Sequence, residues 1–88
     1  MARVVIYLTG SCGYCHAAER LLERKGIRDV ERIRVDLEPA RRAEMRARSG
    51  RTSVPQIWID GRHVGGYEEL YELAHEGGLE GLPEPERT

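Results

Sequence analysis

The sequence predicts one α/β domain in the order βαβαββα, with a single mixed four-stranded sheet flanked by helices. Three observations predict it. A continuous, largely β-branched run, Val4-Val5-Ile6-Tyr7-Leu8, reads as a strand buried on both faces. Apolar residues then recur at helical spacing in Ala18, Leu21 and Leu22. Asp60-Gly61 stands between the run Gln56-Ile57-Trp58-Ile59 and the short segment Arg62-His63-Val64, a strong hairpin-turn signal.

Each element follows in order. Residues 3–8 form the first strand and Thr9-Gly10-Ser11 a turn. Residues 13–25 form a helix that Gly26 stops. Residues 30–36 alternate, with Ile33 and Val35 inward and Arg32 and Arg34 outward, so they read as a half-exposed strand. Pro39 suits a first helical position, with Asp36 or Glu38 near the cap. That helix runs to about Ser49, has a weak apolar face around Met45, and ends at Gly50. Gln56-Ile57-Trp58-Ile59 and Arg62-His63-Val64 pair across the Asp60-Gly61 turn, and Gly65-Gly66 closes the hairpin. Residues 67–76 form the last helix, with Leu70, Leu73 and Ala74 as its stripe and Gly77-Gly78 as its stop. Trp58 and Tyr71 read as core or packing residues. The tail Leu82-Pro83-Glu84-Pro85-Glu86 is polar and Pro-rich and is expected to fray. Residues 1–88 are expected to be one domain. The first two strands, joined by a crossover helix, should be parallel and right-handed. This is the order of the thioredoxin fold in its smallest form.

Composition narrows the function. A net charge of -1 gives no drive toward nucleic acid or a membrane surface, and neither is expected as a partner. A charged fraction of 33% fits a well-solvated surface, and no apolar stretch reaches membrane-spanning length. No secretory leader is read at Met1-Ala2-Arg3, so a cytoplasmic location is expected, where disulfides are transient or catalytic.

The chemistry sits in Cys12-Gly13-Tyr14-Cys15, which holds both cysteines at the start of a predicted helix. Two thiols at this spacing can exchange between dithiol and disulfide. A helix N-terminus stabilises an anion by about 0.3–1 kcal/mol, up to about 2 in good geometry. Cys12 is therefore the expected nucleophile. Cys15, one turn further in, is the expected resolving thiol.

Other readings of the cysteines fare worse. A structural disulfide would close a very small loop and stabilise little. A zinc site needs about four ligands, and His63 and His75 would have to converge on the cysteines by chance; no metal site is expected. Cys12-x-x-Cys15-His16 matches the c-type haem attachment pattern, but haem would want export and a distal methionine, and only Met1 and Met45 exist. His16 then reads as a solvated first-turn residue.

Thr52-Ser53-Val54-Pro55-Gln56-Ile57 and Gly65-Gly66-Tyr67-Glu68-Glu69-Leu70 stand with the CxxC motif in the order and spacing of the glutaredoxins. The sequence resembles bacterial dithiol glutaredoxins of the three-helix kind over nearly all of residues 3–82. The resemblance implies a cis bond before Pro55, with the Val54 backbone N–H and C=O offered to a peptide-like ligand as to an added strand. It implies glutathione as cosubstrate, bound by Thr9, Tyr14, Arg42, Ser53, Val54, Pro55, Gly66, Tyr67 and Glu68. The γ-glutamyl carboxylate would meet backbone N–H groups near Tyr67 and Glu68, and Arg42 would meet the glycine carboxylate.

The chain departs from that family in places. Gly13 replaces a common Pro, and Thr9 stands where a Lys is frequent, so a cation near both thiolate and glutathione is missing. Tyr67 replaces a smaller residue, and Glu68 and Glu69 replace aspartates, with Glu68 expected to face the helix N-terminus. The expected activity is glutathione-dependent reduction of protein disulfides and glutathione mixed disulfides by a monomer. The rivals are a redoxin reduced by thioredoxin reductase and a homodimeric carrier of a glutathione-ligated [2Fe-2S] cluster, which the Gly13 turn would permit.

Overall fold

A computed structural model describes residues 3–78. The elements are β1 (Val4–Leu8), α1 (Gly13–Arg24), β2 (Val30–Arg34), α2 (Pro39–Ser49), β3 (Gln56–Ile59), β4 (Arg62–Gly65) and α3 (Tyr67–His75). The sheet order is β2-β1-β3-β4. β1 runs parallel to β2, with Val4 opposite Val30, and antiparallel to β3, with Ile6 opposite Ile57. β3 and β4 are antiparallel, with an irregularity between Ile57 and Trp58. The predicted order and fold class therefore hold. The tail at 82–86 lies outside the described residues.

Both faces of the sheet are covered, which explains the unbroken apolar run of β1. Val4, Ile6 and Leu8 point to one side and pack with Ala18, Leu21 and Leu22 of α1 and Leu70 and Ala74 of α3. Tyr7 points to the other side, with Ile33, Val35, Trp58 and Met45 of α2. Met45 is the one buried residue of α2, so this helix is held by a single large side chain and its neighbours.

Leu70 and Ala74 take the buried face of α3 as the stripe predicts, and Tyr71, 51% exposed, packs against Tyr67 and His75 rather than in the core. Of the two residues expected near the α2 cap, Asp36 does not take it. Its carboxylate pairs with Arg34 at 2.7 Å and accepts the Gly10 N–H, and the Arg34 hydrogen bonds hold it well below the usual carboxylate range. Glu38 occupies the cap position without a side-chain cap bond. Pro39 at the helix start, where an N–H is dispensable, carries the initiation.

Candidate active site

Cys12 is the N-cap of α1, with extended backbone, and its Sγ accepts the Cys15 N–H at 3.2 Å. A sulfur thus does what a Ser or Asp oxygen does in other helices. The side chain that caps the helix is thus one of the two thiols of the Cys12–Cys15 pair. The Cys12 thiol reaches the Val54 carbonyl at 3.8 Å.

Cys15 is fully buried among the residues of the α1–α3 core. Burial pushes its thiol up to about 12, and a hydrogen bond with Cys12 pushes the same way. A main-chain hydrogen bond from Thr9 opposes them. Both cysteines are free. Cys12 is half-buried and capped by a backbone donor; Cys15 is fully buried and held protonated.

Beside Cys12 lies a groove of about 310 Å³. Tyr14 of α1, the segment Ser53, Val54 and Pro55, and Gly66, Tyr67 and Glu68 at the start of α3 all line it. The Val54–Pro55 bond is cis, as the resemblance implies. Thr9 and Arg42 do not line the groove. Arg51 and Glu69, which sequence reasoning passed over, do. Neither cysteine lines the groove itself; Cys12 adjoins it through the Val54 carbonyl, whereas a larger hollow of about 700 Å³ runs along α1 and β2.

Glu69 explains the Gly-Gly pair. Its Oε1 accepts the Gly66 N–H at 2.7 Å and lies 3.5 Å from Arg51 Nη1. The Gly66 N–H, then Arg51, lower its pKa. The cap expected of Glu68 is therefore made by its neighbour, because the third residue of a helix is the one whose side chain reaches back to the cap N–H. That position was the available sequence signal. Gly65 has φ +125, and a Cβ there would fall 2.7 Å from Glu69 Oε1. A Cβ on Gly66 would come within 3.3 Å of the Pro55 carbonyl. Side chains here would push α3 off the Pro55 segment.

Gln56 anchors the same segment from beneath. It is a fully buried polar side chain. Its Nε2 donates to the Ser53 carbonyl at 3.1 Å, and its Oε1 accepts from His63 Nε2 at 2.7 Å. Burial, then Arg51, lower the His63 pKa, which favours a neutral ring. His63 in turn lies against Trp58, with ring centroids 4.6 Å apart.

The glutaredoxin family model matches residues 4–64. A glutaredoxin of Neisseria meningitidis is 48% identical over 85 residues, which are 97% of this chain and 100% of that one. The chain belongs to the glutaredoxin family. The solution structure of a Brucella melitensis glutaredoxin superposes with a TM-score of 0.77 at 46% identity, covering 89% of this chain and 84% of that one. A buckwheat glutaredoxin–glutathione complex gives a TM-score of 0.79 at 30% identity, covering 86% and 71%. Family and fold make this glutaredoxin a thiol–disulfide oxidoreductase.

Proposed function

We propose that this glutaredoxin uses glutathione to reduce glutathione mixed disulfides and protein disulfides, acting as a monomer in the cytoplasm. The observation that carries the reading is the half-buried Cys12 Sγ, capped by the Cys15 N–H and 3.8 Å from the carbonyl of Val54, which with Pro55 and α3 lines the groove. The likeness to a glutaredoxin that binds glutathione supports it. Val54 N–H and C=O would pair with the glutathione backbone, and the N–H groups of Tyr67 and Glu68, which open α3, would take the γ-glutamyl carboxylate. Arg51, within the groove, is better placed than Arg42 to meet a second carboxylate.

On a mixed disulfide, the Cys12 thiolate attacks the glutathione sulfur and the protein thiolate leaves. A second glutathione thiolate attacks the Cys12–glutathione bond, giving oxidised glutathione and free Cys12. On a protein disulfide, Cys12 forms a bond to one substrate sulfur and the other leaves as thiolate. Cys15 then attacks Cys12 Sγ, releasing the second substrate thiol. Two glutathiones reduce the resulting Cys12–Cys15 disulfide.

The Cys15 environment times this step. Its pKa is raised by burial first, but also by a hydrogen bond to and the charge of Cys12. Once Cys12 is in a mixed disulfide, that charge is gone and Cys15 gives up its proton more readily.

The test is a coupled assay with glutathione and its reductase against thioredoxin reductase, on wild type, Cys12→Ser and Cys15→Ser. Cys12→Ser should lose all transfer. Cys15→Ser should keep mixed-disulfide reduction and lose most protein-disulfide reduction. Turnover with thioredoxin reductase alone would overturn the reading.

A further inference from the structure

The active-site groove is joined to a second hollow by a chain of aromatic rings. Tyr14 and Tyr67 line the groove. Tyr71 and His75 line a hollow of about 300 Å³ between α1 and α3, together with Arg24 and Lys25. Successive ring centroids lie 6.0 Å apart for Tyr14–Tyr67, 6.1 Å for Tyr67–Tyr71 and 6.2 Å for Tyr71–His75, the last pair stacked at 10°. Tyr14 is 66% exposed and Tyr71 51%.

Spacing alone explains part of this. Tyr67, Tyr71 and His75 are four residues apart on one helix, and such pairs stabilise a helix slightly. Tyr14 is not on that helix. It comes from α1 and extends the stripe into the Cys12 motif, which helix pairing does not require. Exposed tyrosines in a row are also typical of interface centres, where large rigid rings bury area at small entropic cost.

We propose that this stripe is the docking surface for the polypeptide that carries a substrate disulfide. The favoured segment has an aromatic or apolar residue near the reacting cysteine and a carboxylate about five residues from it. Two arguments select this occupant. The stripe is continuous with the groove through Tyr14 and Tyr67, so a chain whose cysteine is bonded to Cys12 has this surface beside it. Its far end carries Arg24, in the last turn of α1, which complements an acidic side chain. The three ring-to-ring steps match the reach of about five extended residues. The inference rests on the assigned role of Cys12 and is independent of whether glutathione is the reductant.

The test uses prereduced protein in single turnover. Peptides carry one cysteine bonded to thionitrobenzoate, with an aromatic residue three positions away and glutamate five positions away, placed on either side. Matched controls carry lysine in place of glutamate. The small control substrate is the glutathione–thionitrobenzoate disulfide. Each turnover releases one coloured thionitrobenzoate as Cys12 and Cys15 become a disulfide.

For one of the two placements, wild type should react three- to tenfold faster with the glutamate peptide than with its lysine control, and the preference should shrink at high salt. Arg24→Glu should reverse it. Tyr71→Ala should slow both peptides several-fold. Both variants should leave the small substrate unchanged. Absence of a charge preference, or equal slowing of peptide and small substrate, would overturn the proposal. So would self-association of wild type abolished by Tyr71→Ala, which would assign the stripe to a second copy. A wild type inert toward the small substrate as well would instead overturn the role of Cys12.

Discussion

Cys15 should resist alkylation in the reduced protein, and the size of the effect follows from its surroundings. Burial, and then the hydrogen bond with Cys12, push its thiol from an ordinary 9.0 up to about 12. At pH 8 roughly one molecule in 10⁴ would then carry a Cys15 thiolate, against about one in ten for an unperturbed thiol. The thiolate is the reacting species, so alkylation should be about 10³-fold slower, before steric shielding slows it further. Iodoacetamide at pH 8, followed by peptide mapping in a mass spectrometer, should find Cys12 modified and Cys15 intact. Cys12→Ser removes the neighbouring thiol and its charge, with a hydroxyl in its place, but leaves the burial. Cys15 should then react faster than in wild type, yet slower than a free thiol. Alkylation of Cys15 in reduced wild type within tenfold of the Cys12 rate would refute this account of the site. The same shift has a stability consequence. The folded state keeps a proton that the unfolded chain releases near pH 9, so stability should fall as pH rises from about 9 towards about 12. Melting temperatures across that range should show the fall in wild type and a shallower one in Cys15→Ser.

Further tests probe the frame of the groove. Gly65→Ala places a Cβ on the Glu69 carboxylate at positive φ, so it should destabilise by about 1–3 kcal/mol in urea unfolding and raise KM for a glutathione mixed disulfide. Gln56→Leu strips Ser53 and His63 of their buried partner; a loss of about 1–3 kcal/mol is expected, with KM rising more than kcat falls. Unchanged KM in that variant would show that the Ser53-Val54-Pro55 segment holds its place without it. Thr9→Lys adds a second cation, just before the Cys12 turn and outside the groove lining that holds Arg51, and exposed pairs are worth about 0.2–1 kcal/mol. Apparent glutathione affinity should improve by up to a few-fold at low salt, and steady-state kinetics at two ionic strengths should show the gain vanish at high salt.

The elements were legible because their signals are local. The β-branched run of β1, the Ala18, Leu21 and Leu22 stripe and the Asp60-Gly61 turn each depend on residues within a few positions of one another. The Ser53-Val54-Pro55 block and the Gly-Gly pair were legible through resemblance, and the groove contains them. Errors arose where a choice lay between chemically similar neighbours. Glu68 and Glu69 are adjacent carboxylates, and helix geometry gives the Gly66 N–H to the second. Arg42 and Arg51 are both arginines, and only the folded chain puts Arg51 into the groove.

The sequence by itself determined the order of strands and helices, the reactive pair Cys12 and Cys15, and which of the two heads a helix. Periodicity, turn chemistry and capping are properties of short stretches of chain, so they survive without knowledge of the fold. Tertiary structure alone decided how deeply Cys15 is buried, which arginine and which glutamate frame the groove, and that Gln56 holds the Ser53 carbonyl beneath it. It alone aligned Tyr14 of α1 with Tyr67, Tyr71 and His75 of α3. Those features join residues distant in the sequence, and their contacts exist only once the sheet has brought α1, the Pro55 segment and α3 to one end of the molecule.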